Sequence, residues 1–221
     1  MENEYKRKDR ENTKTREIKI SNGLLVQADG SSQYSVGNTT ILCGVYGPIE
    51  AKPFEEELDR ANVEIEFRPR TGTTNTGDRW MEFALKSIFE SEILVYMHPR
   101  TRFKLNFQPI SDDGSLESAA INSGCIALIN AGVPLSTMIC ATTVIVTTNG
   151  DILVDPTAEE LLNNAVSSHT IAFSKTNIDS SPVYINSKGK FTREKYQECE
   201  SVSREACKKI LKFLESTLES N

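Results

Sequence analysis

The spacing of apolar positions sorts this chain into alternating strands and a few helical stripes. Val63-Glu64-Ile65-Glu66-Phe67 alternates residue by residue. Phe103, Leu105 and Phe107 interleave with Arg102, Lys104 and Asn106 in the same way. Side chains two apart share one face of a strand, so both runs predict half-buried strands. Met138 to Thr148 is a near-continuous β-branched run, the pattern of a strand buried on both faces. The chain becomes strand-like from Glu17, and Leu24–Gln27, Ser32–Val36, Thr39–Gly47 and about Ser168–Ser174 read as further β-prone runs. Asp29-Gly30, Gly37-Asn38 and Asn149-Gly150 punctuate them as turn signals, the last leading into Asp151–Val154.

Helical periodicity marks three segments. Asp78 is placed as an N-cap, with Glu82, Trp80, Phe83, Ser87 and Ile88 following at helical spacing. Leu116 to Ala131 is rich in Ala, Ser and Gly, residues small enough to let a helix lie close to a sheet. A last helix from Thr192 to about Leu218 places Tyr196, Cys199, Val202, Ala206, Ile210 and Phe213 on one stripe. Residues 49–60 read as an acidic loop and Arg70–Gly77 as a Gly/Thr-rich one. No Pro/Ser-rich linker divides the chain. The expectation is one α+β domain over residues 16–221, behind a flexible charged tail over residues 1–15. Lys6, Arg7, Lys8 and Arg10 cluster in that tail, which reads as a solvated segment, with a localisation signal or an RNA-contacting arm as alternatives.

Charge and cysteine content narrow the function. The formal net charge of −6 makes the chain a poor stand-alone nucleic-acid binder, so any RNA contact must come from local basic patches or from partner chains. No apolar stretch approaches membrane-spanning length, no secretory signal is seen, and no membrane partner is expected. Cys43, Cys125, Cys140, Cys199 and Cys207 are dispersed without a CxxC pair and read as reduced core thiols. His98 and His169 stand at no ligand spacing to them, so no zinc site, other metal or cofactor is expected. His98 reads as a loop or interface residue and His169 as a core or edge one. Phosphate loops, dinucleotide-binding glycine patterns and nucleophile elbows are absent from the sequence.

Ala28-Asp29-Gly30-Ser31, Gly37-Asn38-Thr39-Thr40, Gly44-Val45-Tyr46-Gly47-Pro48, Asp112 to Ile121, and Val154 to Glu160 occur in this order along the chain. Together they resemble the RNase PH family of phosphate-dependent exoribonucleases. Gly47 to Lys52, Phe67-Arg68-Pro69 and His98-Pro99-Arg100 are similar to the non-catalytic ring subunits of the eukaryotic RNA exosome. The resemblance implies a single RNase PH-like domain (ribosomal protein S5 domain 2-like), with mixed sheets packed against two central helices and a C-terminal helix. It also implies a six-membered ring of RNase PH-like chains, cap RNA-binding subunits above it, and single-stranded RNA threaded through the channel to a separate nuclease. The expected localisation is nucleus, nucleolus and cytoplasm.

Active relatives carry a Gly-Gly-Thr-Arg run where this chain has Asp112-Asp113-Gly114-Ser115-Leu116-Glu117, and their arginine holds the attacking phosphate. Glu117 falls at that arginine, and a carboxylate there repels the nucleophile. Laying Glu159-Glu160 on the family's paired glutamates puts Leu161 and Ser167 at its two aspartates, where neither supplies a carboxylate. The expectation is therefore no catalytic residue and a structural role in 3'-to-5' RNA processing and degradation. Two enzymatic alternatives stand beside it. One is a phosphate-dependent exoribonuclease whose site is displaced or completed by a partner. The other is a homo-oligomeric nuclease using Asp155, Glu159 and Glu160 with a metal. Asp155-Pro156-Thr157 otherwise reads as the start of a turn or short helix favoured by the glutamates, and Asp112-Asp113 as a helix cap. Arg68, Arg70, Arg79 and Arg100 are the candidate RNA contacts, with Arg70 and Arg79 placed on the channel. Pairing with acidic residues of neighbouring subunits is the competing role for them.

Overall fold

The computed structural model describes Arg7 and residues 10–219, and Lys6 and Lys8 of the basic cluster lie outside these described residues. Strands β1 (Ile18–Asn22), β2 (Gly30–Val36) and β3 (Thr39–Glu50) open the fold, followed by β4 (Asn62–Phe67), helix α1 (Thr76–Glu92) and β5 (Thr101–Ser111). Helix α2 (Leu116–Asn130) crosses to β6 (Ile139–Thr147), β7 (Ile152–Val154), the short α3 (Ala158–Asn163), β8 (Ala165–Ser174) and β9 (Tyr184–Gly189). Helix α4 (Arg193–Glu219) ends the described chain.

The strands form two sheets. The first has the order β1-β2-β3-β5-β4, antiparallel except for the parallel β4–β5 pair; the second, β7-β6-β8-β9, is antiparallel throughout. The Gly37-Asn38 signal proves to be a two-residue hairpin, with Val36 opposite Thr39. Alternation along β5 buries Phe103, Leu105 and Phe107 and turns Lys104, Asn106 and Gln108 to the other face. Every residue of β6 is buried, because α2 covers one side of the second sheet and α4 the other. The layers are thus sheet, helices α1 and α2, sheet, and α4. One core runs through them, from Tyr34 and Ile41 through Phe89, Phe107 and Ile126 to Phe173 and Leu214.

Helix α2 is the centre of this arrangement, and its composition explains why. From Glu117 to Leu128 every residue is buried. A Cβ added at Gly124 would lie 2.4 Å from the Phe89 ring and 2.9 Å from that of Phe107. Only hydrogen fits there, which lets α2 settle against α1 and the first sheet. The polar residues of α2 bond across the layers. Asn122 donates to the Ala141 carbonyl (3.0 Å) and accepts from the Ala141 amide (2.8 Å) on β6, and Ser32 Oγ of β2 donates to the Ser123 carbonyl (2.7 Å).

Four expectations are corrected. Leu24–Gln27 is a turn before β2, not a strand. The N-cap of α1 is Asn75, whose side chain accepts from Gly77 N and Asp78 N, while Asp78 returns the bond to Asn75 N from the N3 position of a capping box. The buried face of α1 is Ala84, Leu85, Ile88, Phe89 and Glu92, which leaves Trp80 and Phe83 exposed. On α4 the buried stripe is Cys199, Ser203, Ala206, Cys207, Ile210, Leu211 and Leu214, with Phe213 turned partly outward. Strand β9 carries only a weak apolar pattern and was not expected. All five cysteines are buried free thiols.

Gly124→Ala should destabilise the domain by about 1–3 kcal/mol, the usual cost of forcing a methyl into a filled core. Urea unfolding followed by circular dichroism measures it, and an unchanged midpoint would show that α1 shifts freely.

Candidate functional site

The loop before α2 is locked rather than open. Gly114 has φ 83° and Ser115 φ 57°, so the chain doubles back sharply at the helix start. A Cβ at Gly114 would lie 2.6 Å from the Pro156 carbonyl oxygen, so this loop packs directly on the segment entering α3. Ser115 Oγ donates to that carbonyl (3.1 Å), and Ala158 N donates to the Asp113 carbonyl (3.1 Å) and Oδ1 (3.3 Å). Asp113 therefore caps α3, and neither Asp112 nor Asp113 caps α2, contrary to expectation. Thr157 is the side-chain N-cap of α3, with Glu160 at N3 completing a capping box. Of the turn and the short helix read at Asp155–Thr157, the short helix is the one formed.

An arginine clamp closes this junction. Arg16 Nη2 and Nε donate to the two carboxylate oxygens of Asp155 at 2.7 and 2.9 Å, its own amide adds a third bond at 2.9 Å, and Nη1 reaches the Asp113 carbonyl at 2.9 Å. Arg7 makes a two-pronged pair with Glu160, both bonds 2.7 Å, and donates to the Val154 carbonyl at 2.9 Å. Arg10 donates to the Asp155 carbonyl at 2.5 Å. Arg7 and Arg10, expected in a flexible tail, thus lie against the body here. Burial by itself would raise the Asp155 carboxyl, but hydrogen bonds and charge from Arg16, aided by Arg10, outweigh it and hold the group below its ordinary value of 3.8. Burial likewise opposes, and Arg7, the Thr157 amide and Arg10 overcome, the same effect at Glu160, which lies below 4.5. Asp155 and Glu160 are occupied by guanidinium groups and Glu159 is exposed. Among the described residues no group of three or more His, Cys, Asp or Glu is placed to hold a metal ion.

Glu117 faces away from that clamp. In the first turn of α2 and only 9% exposed, its carboxylate accepts from Tyr184 Oη (2.7 Å) and from Asn186 Nδ2 (2.9 and 3.2 Å) on β9. The α2 N-terminus adds its own partial positive charge, so the anion is held from two sides. Burial first, and then the Glu117 carboxylate, push the Tyr184 hydroxyl well above its ordinary value, which keeps it a donor.

The other two aligned positions do not join Glu117. Leu161 is half-buried on α3. Ser167 lies on β8, where alternation decides which layer each side chain meets. Thr170 bonds Thr143, which bonds Ser118 of α2, so the even-numbered residues at this point of β8 face α2. Ser167 and His169 therefore face α4: Ser167 Oγ and His169 Nε2 are 3.1 Å apart, and the imidazole packs edge-on to Phe191 and Tyr196. His169 is fully buried, as expected for a core residue, and burial lowers its pKa.

The candidate RNA contacts divide into two places. Arg68 and Arg70 follow the end of β4, and Arg79 lies in the first turns of α1 that the same loop leads into. Arg68 is paired with Glu66 at 2.7 Å, whereas Arg70 and Arg79 are exposed without an ion pair among the described residues. Arg100 precedes β5 at the opposite end of the β4–β5 pair, roughly 20 Å away at strand rise, and lies 3.7 Å from Glu56. Arg102 pairs with Glu64 at 2.9 Å on the polar face of the first sheet.

Comparison with known proteins places this architecture. The 3' exoribonuclease (RNase PH) family models match over residues 14–134 for domain 1 and 137–206 for domain 2. The chain is similar to the exosome complex component rrp46 of Schizosaccharomyces pombe, 36% identical over 120 residues, covering 54% of this chain and 53% of that protein. It is similar to the exosome complex component RRP46 of Saccharomyces cerevisiae, 28% identical over 211 residues, covering 90% and 94%. The crystal structure of rice (Oryza sativa) Rrp46 superimposes with a TM-score of 0.88 at 28% identity, covering 95% of this chain and 98% of that one. The aligned region thus spans about half the length of the first relative and nearly all of the second.

Both clamp carboxylates titrate below their ordinary values, so their contribution to stability is present above about pH 4.5 and is lost as pH falls through the folded values. Asp155→Asn should cost about 3–5 kcal/mol at neutral pH, because it strands the Arg16 guanidinium. It should also flatten the acid limb of the stability profile. Urea midpoints measured from pH 7 down to pH 3 test both, and a variant as acid-sensitive as the parent would show that Asp155 does not carry the dependence.

Proposed function

The chain belongs to the 3' exoribonuclease (RNase PH) family, and on that premise we propose that it is a non-catalytic ring subunit of an exosome core, contributing RNA channel and assembly to 3'-to-5' RNA processing and degradation. The observation that carries this reading is Glu117. Phosphorolysis needs inorganic phosphate held by cations beside the scissile bond. Matching Gly114-Ser115 to the motif's Gly-Thr sets Leu116 at the arginine and Glu117 immediately after it, so this turn of α2 offers a carboxylate and no cation. Two unit charges of like sign 4 Å apart repel by about 4 kcal/mol near a protein surface. The side-chain donors that would greet an anion here, Tyr184 and Asn186, are already used on Glu117. The clamp on Asp155 and Glu160 argues against the metal-dependent alternative in the same way.

Without catalysis the role becomes one of position. We place the chain in a six-membered ring with other RNase PH-like subunits, beneath cap RNA-binding subunits, acting in nucleus, nucleolus and cytoplasm. Arg70 and Arg79 are the side chains best suited to touch a passing strand, since each is exposed without an internal counter-ion among the described residues. Contacts of this kind go to phosphates and read no sequence. Arg68, neutralised by Glu66, and Arg100, at the other end of the strand pair, are secondary candidates.

Native mass spectrometry of the complex recovered through a tag on this chain should show one copy among different RNase PH-like chains. The purified chain should release no nucleoside diphosphate from RNA when phosphate is supplied. A homo-oligomer with phosphate-dependent release would overturn the proposal. Replacing Arg70 and Arg79 together with glutamate should leave assembly intact and shorten the RNA fragment that the complex protects from added nuclease. An unchanged footprint with intact assembly would remove these arginines from the channel.

A further inference from the structure

Helix α1 presents two large aromatic side chains outward at its beginning, Trp80 at 40% and Phe83 at 72% exposure. Single exposed apolar side chains are common on a protein surface, and what sets this pair apart is its surroundings. The Lys188 ammonium of β9 lies over the Trp80 ring, 5.2 Å from its centroid. Lys188 belongs to the same alternating row as Tyr184 and Asn186, so the strand that holds Glu117 also supplies a cation to Trp80. Arg79 is adjacent in sequence, and Arg70 lies in the loop that leads into α1.

The carboxylates closest in sequence or sheet are occupied elsewhere. Asp78 accepts from Asn75 N at 2.8 Å, Glu82 accepts from Phe67 N at 2.9 Å, and Glu117 is held by β9. These carboxylates keep their charge but are turned to neutral donors, and among the described residues Arg70, Arg79 and Lys188 make no ion pair, so the exposed indole has cations beside it that are free to meet an anion. An exposed aromatic ring with one cation over it and arginines nearby along the chain matches the chemistry of a nucleic-acid strand: a base stacks on the open part of the ring and the phosphates meet the charges.

We propose that Trp80 is a base-stacking platform for single-stranded RNA, with Lys188 and Arg79 meeting the flanking phosphates. The assignment rests on the channel reading above and makes it specific, because it adds a contact with the base to contacts with the backbone. Stacking is tolerant of base identity, so the platform would grip any passing sequence.

Trp80 is the sole tryptophan of the chain, which makes it its own reporter. The full chain is titrated with a short oligoadenylate at low salt, following tryptophan emission and, separately, the anisotropy of a labelled copy of the RNA. Saturable quenching that tracks the anisotropy is expected, while inorganic polyphosphate of equal charge should not quench. In the assembled complex, Trp80→Ala should weaken RNA binding roughly 5-fold or more, and Trp80→Phe should restore part of it. RNA binding with unchanged emission, or equal quenching by polyphosphate, would overturn the platform and leave the channel reading standing. No RNA binding by either the chain or the complex would overturn the channel reading itself. If Trp80→Ala and Phe83→Ala instead reduce recovery of neighbouring subunits, with RNA affinity per complex unchanged, the face is a protein interface and the platform is wrong.

Discussion

A helix buried on every side must find a partner for each polar group it carries, and in this protein that constraint governs both fold and site. Helix α2 lies between the two sheets, with its middle closed in by the Phe89 and Phe107 rings at Gly124. Water cannot reach Ser118, Asn122 or Ser123, so each is answered from a sheet: Ser118 by Thr143, Asn122 by the Ala141 backbone, Ser123 by Ser32. An unsatisfied group at any of these places would cost about 1–3 kcal/mol. The bonds therefore fix how α2 is rotated between the sheets, and that rotation fixes where Glu117 points.

The outcome at Glu117 follows from the same requirement. A buried carboxylate is costly unless donors surround it. Tyr184 and Asn186 supply them, and the α2 N-terminus adds its partial positive charge. A few residues away, the loop 112–115 is stitched to the start of α3, and Arg7, Arg10 and Arg16 neutralise Asp155 and Glu160. The charges that draw attention in the sequence are thus satisfied internally. Arg70 and Arg79, without an ion pair among the described residues, and the exposed Trp80 lie on a different part of the surface, where a strand or a neighbour can meet them.

Much of this was legible in the chain. Period-2 alternation identified β4 and β5, and the unbroken β-branched run identified β6, because burial on one face or two leaves different residue patterns. The small residues of α2 announced close packing, and Thr157 with Glu160 announced the start of α3. What the pattern missed has local physical reasons. Strand β9 is half-exposed and reads IleAsnSerLys in its middle, so its pairing with β8 rather than its own composition makes it a strand. Asn75 outcompetes Asp78 as cap because a carboxylate at N3 can return the bond, a reciprocity visible only in geometry. Trp80 and Phe83 keep helical spacing, yet the sheet meets the neighbouring stripe of α1 instead.

The sequence by itself determined most of the strands and helices, β9 and the Leu24–Gln27 turn excepted, that the family fold is adopted, and that a carboxylate stands at Glu117, since these depend on local periodicity and on motif order. Only the tertiary structure decided that Ser167 faces α4 and cannot meet Glu117, that Asp113 caps α3 rather than α2, that three N-terminal arginines close the acidic cluster, and that Arg100 stands apart from Arg70 and Arg79. Each of these joins residues far apart along the chain. Which side chains meet across that distance is set by sheet register and by the burial of α2, neither of which is written in any single stretch of sequence.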